Sequence, residues 1–138
     1  MIAVIRIKGQ VKLKKEVVET LNRLRLRKKY SCIVLDPTKE AMGMIKKMRN
    51  FVAFGEIDKK TFEKLIELRG QKINKKEKIN AKKVIEGLEK GEGYKDLNLK
   101  PFFRLHPPRK GIKSKIHFPK GVLGDNKEKI NDLIMRML

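Results

Sequence analysis

The chain has 138 residues, with 36 Lys and Arg against 16 Asp and Glu for a formal charge of +20. A free molecule of this kind repels itself over much of its surface, and a polyanion is its natural neighbour. The length suits one ordinary domain with an extension. It excludes two full domains, no stretch reaches the roughly 18 apolar residues of a membrane span, and the lone Cys32 excludes an intrachain disulfide and offers no zinc-site spacing.

The N-terminal run Met1-Ile2-Ala3-Val4-Ile5-Arg6-Ile7-Lys8 places its charges after its apolar residues, the reverse of a secretion signal, so an intracellular protein is expected. Alternation puts Ala3, Ile5 and Ile7 on one face and Arg6 and Lys8 on the other, the pattern of a half-buried strand. Gly9 ends it. From Leu13 the apolar positions Leu13, Val17, Leu21 and Leu24 mark one face of an amphipathic helix. Tyr30–Leu35 has strand propensity and stops at Asp36-Pro37-Thr38, which suits a helix start running to about Met48. Phe51–Ile57 is a third strand.

This β-α-β-α-β order predicts a small ferredoxin-like α+β core with a three-stranded sheet and its helices on one face. The other face is expected to stay free, with Arg6 and Lys8 on it. We place the core at residues 1–58 and an extension at 59–138.

In the extension Asp58 is a candidate N-cap for a helix carrying Phe62, Leu65, Ile66 and Arg69, closed by Gly70. Gln71–Ile79 reads as a lysine-rich loop, and Asn80 as the cap of a helix with Val84, Ile85 and Leu88 that ends at Gly91-Glu92-Gly93. From Leu97 to Gly124 there are seven Lys or Arg residues, no acid and four of the five prolines, a one-signed arm whose shape an anionic partner would complete. Asp125 and Glu128 resemble a capping box before a final helix with Ile130, Leu133, Ile134 and Met137 on its apolar face. That helix should dock on the body.

Two basic clusters stand out. The arm carries Arg104, His106, Pro108, Arg109, Lys110, Gly111, Lys113 and Lys115 beside Phe102 and Phe103. Cationic forks, point charges, rings and bare backbone are the groups that engage phosphates and unpaired RNA bases. The plain alternative is a solvated loop, and at least one Phe is expected to be buried either way. Arg23, Arg25, Arg27, Lys28 and Lys29 end the first helix, where a helix dipole favours cations but does not need five.

Catalytic readings are poor. His106 and His117 have no carboxylate near in sequence, no phosphate-binding Gly loop or metal-ligand spacing occurs, Cys32 suits a buried structural thiol, and the methionines suit core filling. The expectation is a non-enzyme without cofactor, metal or small-molecule substrate. An architectural DNA-binding protein is the alternative from the same charge.

Several segments together carry a family resemblance: Ile5-Arg6-Ile7-Lys8-Gly9, Thr20-Leu21-Asn22-Arg23-Leu24-Arg25-Leu26, Asp36-Pro37-Thr38, Pro101-Phe102-Phe103-Arg104-Leu105, Pro108-Arg109-Lys110-Gly111, His117-Phe118, Gly124-Asp125-Asn126 and the closing helix. Over nearly its whole length the chain resembles the L thirty family of large-subunit ribosomal proteins, called L seven in eukaryotes. The resemblance implies a structural role in the cytoplasmic ribosome. The partners it implies are large-subunit ribosomal RNA, with the small 5S rRNA nearby, and neighbouring ribosomal proteins. Bacterial relatives stop after the third strand and eukaryotic ones add a basic N-terminal arm, so the archaeal type fits. By matching position, Arg6, Lys8, Gly9, Arg104, Arg109, Lys110 and Gly111 are the implied RNA contacts.

Overall fold

A computed structural model describes residues 1–9, 14–74, 76, 80–94, 97–109, 111 and 121–138. The elements run β1 (Ile2–Arg6), α1 (Lys15–Arg23), β2 (Ser31–Leu35), α2 (Lys39–Lys47), β3 (Val52–Glu56), α3 (Lys59–Arg69), α4 (Ala81–Glu89), β4 (Phe103–Arg104), β5 (Gly124–Asp125) and α5 (Ile130–Met137). The α+β core and its order match the pattern of the sequence. Its three strands lie in one sheet ordered β4-β2-β1-β3-β5, so two short strands of the extension extend both edges. β1 is central and antiparallel to β2 and β3, with Val4 opposite Ile33 and Phe54. β4 joins β2 antiparallel through Ser31 and Arg104, and β5 joins β3 in parallel through Ala53 and Gly124.

The core helices do share one face. There Val4, Ile33, Val52 and Phe54 meet Leu21, Leu24 and Leu26 at the end of α1 and Ile45 and Met48 of α2. The expected free face does not exist. Ala3, Ile5, Ile7, Cys32, Val34 and Ala53 pack under α3, α4 and α5 through residues such as Phe62, Leu65, Val84 and Ile134. Alternation showed which residues share a face, but it did not reveal that the extension supplies a second helical layer. Each fully buried Ile or Leu there contributes about 1.5–3 kcal/mol, which is why a sheet with two apolar faces is covered twice.

Local signals set the helix ends. The Thr38 hydroxyl accepts from the Ala41 amide, the Asp58 carboxylate from Thr61, and the Asn80 side chain from Lys82. Gly91 takes φ +91° and closes α4 with bonds from Gly91 to Leu88 and from Glu92 to Gly87. The expected capping box is corrected. Asp125 belongs to β5, its carboxylate accepts from the Lys127 amide two residues on, and a 3-10 turn at Lys127–Lys129 precedes α5. Buried Asn126 fixes this corner by donating to the carbonyls of Val122 and Gly124.

Gly55 of β3 lies against that corner, where an added Cβ would collide with the Lys127 carbonyl oxygen and with Ile130. Backbone cannot step aside as a flexible side chain can. Gly55→Ala is therefore expected to cost about 2–3 kcal/mol, seen as a lower denaturation midpoint at unchanged slope. Wild-type stability would show that α5 does not approach the sheet this closely.

Candidate nucleic-acid interface

β1 ends at Arg6, β2 starts at Ser31, β3 starts at Val52 and β4 ends at Arg104, and the pairing sets all four points at one end of the sheet. The two basic segments, about seventy positions apart, therefore meet. Arg25, Arg27, Lys28, Ser31, Phe102 and Arg104 line a common recess. At the opposite end, beyond Glu56, a recess is lined by the four acids Glu56, Asp58, Glu128 and Asp132 with Lys129 among them. Acidic groups thus gather away from the two basic segments.

The recess rests on a strained helix end. Arg25 donates its amide to Asn22 and Leu26 to Leu21, while Leu21 and Leu26 pack in the same core cluster. This is the arrangement in which glycine normally occupies the left-handed position after a helix. Here Arg25 occupies it at φ +65°, and Tyr30, at the other end of the turn, shares that φ. A left-handed non-glycine residue costs roughly 1–2 kcal/mol, so fold stability alone does not account for an arginine there.

Rings brace the cations. Lys8 Nζ lies 5.6 Å from the Phe51 ring centre, Lys29 Nζ 5.0 Å from Tyr30, and the Arg104 guanidinium 5.6 Å from Phe102. Such pairs contribute about 0.5–1 kcal/mol at exposed sites and restrict long side chains before a ligand arrives. Of the adjacent phenylalanines, Phe103 is the core residue and Phe102 the half-buried one.

Arg6 requires correction. It was expected on an open face, yet it is 1% exposed. Its Nε donates to the Lys8 carbonyl at 2.9 Å, and Nη1 to the carbonyls of Leu26 at 2.8 Å and Arg27 at 2.9 Å. Desolvation pulls its pKa down from the usual arginine value. Arg6 thus clamps the Leu26–Arg27 turn to the end of β1. Lys8 and Gly9 are half-buried beside it.

Arg23, Arg25, Arg27, Lys28 and Lys29 are exposed, as are Arg104, His106, Arg109 and Gly111, whereas Pro108 is buried. Lys110, Lys113, Lys115 and His117 lie outside the described residues. The base of the arm is tied down by Leu105 donating to Tyr30, His106 to Met137 and Arg109 to Arg136. A residue that sequence reasoning missed completes this anchor. The Arg136 guanidinium donates to the Gly111 carbonyl at 3.0 Å and more weakly to that of Arg109 at 3.4 Å. Its only signal in the sequence was a cation in the last turn of a helix. Cys32 is fully buried and its thiol pKa is pushed up by burial, which keeps it protonated and inert. Among the described residues no group of His, Cys, Asp and Glu is placed to hold a metal ion, and no helix is long and apolar enough to cross a membrane.

The fold and this end together define a class: a small α+β protein whose sheet is covered by helices on both faces and carries a cationic pole at one end. A family model described as Ribosomal protein L30p/L7e matches residues 2–52. The chain is 42% identical to Large ribosomal subunit protein uL30 of Archaeoglobus fulgidus, over 99% of each chain. It is 37% identical to the protein of that name from Nanoarchaeum equitans, over 99% of this chain and 97% of the relative. The Methanococcus maripaludis protein is 38% identical over 99% of this chain and 98% of its own. The chain belongs to the ribosomal protein L30p/L7e family.

Proposed function

We propose that the chain is a structural, non-catalytic constituent of the large ribosomal subunit that binds and stabilises ribosomal RNA through the cationic end of its sheet. The observation that carries this reading is the convergence of two distant basic segments on one recess, with cations braced by rings. Each phosphate neutralised there releases condensed counterions. Direct contact falls to Lys8, Gly9, Arg23, Arg25, Arg27, Lys28, Lys29, Arg104, His106, Arg109 and Gly111. Lys110, Lys113 and Lys115 continue the basic segment in sequence. Arg6 and Pro108 act from the interior, by holding the turn and the arm. Neighbouring ribosomal proteins adjoin it on the particle, and the reading extends to a position near the small 5S rRNA, for which the family resemblance is the support.

The alternative, an architectural DNA-binding protein, rests on charge alone. In a competition titration at fixed salt, large-subunit RNA should displace duplex DNA from the purified chain. Equal affinity for the two would contradict the proposal.

Arg25 separates fold from function. Replacing it by glycine relieves the left-handed strain, so Arg25→Gly should match wild-type stability or exceed it by up to about 1 kcal/mol. RNA affinity should nevertheless fall several-fold, through the lost phosphate contact. Unchanged affinity would remove Arg25 from the interface.

A further inference from the structure

We infer that the recess between Arg25, Arg27, Lys28, Ser31, Phe102 and Arg104 is a seat for one unpaired nucleotide of the RNA, rather than a stretch of duplex backbone. The inference rests on the RNA-binding reading above and names the kind of RNA feature this part of the surface takes.

Three observations carry it. First, the lining is mixed in a way a phosphate track is not, since a half-buried ring and the buried Ser31 sit among the cations. Backbone contact alone needs only exposed charge. Second, the Arg104 guanidinium stands 5.6 Å from the centre of the Phe102 ring, so a planar cation is held in place by a ring. Guanidinium planes and aromatic faces are the platforms on which splayed-out bases stack. Third, the left-handed turn that Leu26 closes sets the Arg25 backbone beside the recess that Arg25 lines. Arg27 and Lys28 follow it directly, so cations flank the platform where the two phosphates of an extruded nucleotide would pass.

In a continuous A-form duplex the bases are stacked internally, so a base platform has nothing to engage there. A bulged or looped nucleotide supplies a free π-face together with crowded phosphates. Ser31 adds a hydroxyl that can donate or accept at a base edge. No fixed base identity follows from these groups, because every base offers a π-face.

The test uses the full chain and three RNA probes: a perfect duplex, the same duplex with one bulged adenosine, and the same duplex with an abasic residue in the bulge. The last two carry the same phosphates, so their affinity ratio isolates the base. The bulged adenosine should bind roughly 5- to 150-fold more tightly than the abasic probe. Arg104→Lys combined with Phe102→Leu, which keeps the charge but removes both flat platforms, should bring that ratio to about one. Equal binding of the adenosine and abasic probes by the wild-type chain, with salt-sensitive binding of all three, would overturn the inference and leave the RNA-binding reading standing. A base preference that survives the double replacement would overturn it by placing the base elsewhere. Failure of all three probes and of large-subunit RNA to bind would overturn both.

Discussion

Arg6→Ala should lower the unfolding free energy by about 3–5 kcal/mol, a large fraction of the 5–15 kcal/mol typical of a whole domain. The guanidinium donates to three backbone carbonyls from a position 1% exposed. Truncation deletes three charge-assisted bonds and takes its donor from the Leu26 carbonyl, whose bond is fully buried, a loss of about 1–3 kcal/mol at that acceptor alone. Arg6→Lys should recover little, because an ammonium on a flexible stem cannot reproduce the fork that spans Lys8, Leu26 and Arg27. Urea titrations of the two variants check this. A loss under about 1 kcal/mol for Arg6→Ala would mean that water or relaxation satisfies those carbonyls, and that the turn carrying Arg25–Lys29 is held by other means.

The second large effect is on binding. If about six to ten phosphates are neutralised, affinity for large-subunit RNA should fall by roughly a thousandfold to a hundred-thousandfold between 50 and 200 mM salt. Replacing Arg25, Arg27 and Lys28 together by alanine should reduce the log–log salt slope by about 2 to 3. Those three side chains are exposed, so the melting temperature should change far less than for Arg6→Ala. Filter binding across a salt series measures both quantities. A flat response would separate the charge of the chain from any phosphate contact.

Elements with a strong local signal were legible in the sequence. The helix start at Asp36-Pro37-Thr38, the caps at Asp58 and Asn80 and the apolar faces of α3, α4 and α5 follow from short-range chemistry, and the structure places them where that chemistry puts them, with Thr38 as the capping residue of the first. Features that depend on distant pairing were not. β4 and β5 are two residues each, too short to show a period, yet they bring Arg104 beside Ser31 and Gly124 beside Ala53. Composition therefore identified both basic segments, but their convergence comes from the sheet.

Arg6 was misplaced for a related reason. In an alternating strand a charge normally marks the solvent side, and nothing local shows that two carbonyls from a turn twenty residues away will join that of Lys8 to enclose it. Its partners are backbone atoms, which carry no sequence signature. The anchoring of the arm by Arg136 was hidden in the same way, because a cation in the last helical turn already has a sufficient explanation in the helix dipole. Arg25 shows the converse. The helix end was legible, but its left-handed φ became evident only with the backbone in view.

If this cationic end holds the chain on the large ribosomal subunit, the end should decide where the chain sediments. The experiment is a low-salt sucrose gradient of a lysate that carries a tagged copy. The wild-type chain should travel with the large-subunit particles, while the variant lacking Arg25, Arg27 and Lys28 should shift toward the top. A wild-type chain that remains at the top, apart from every ribosomal particle, would mean that this end does not hold it on the subunit.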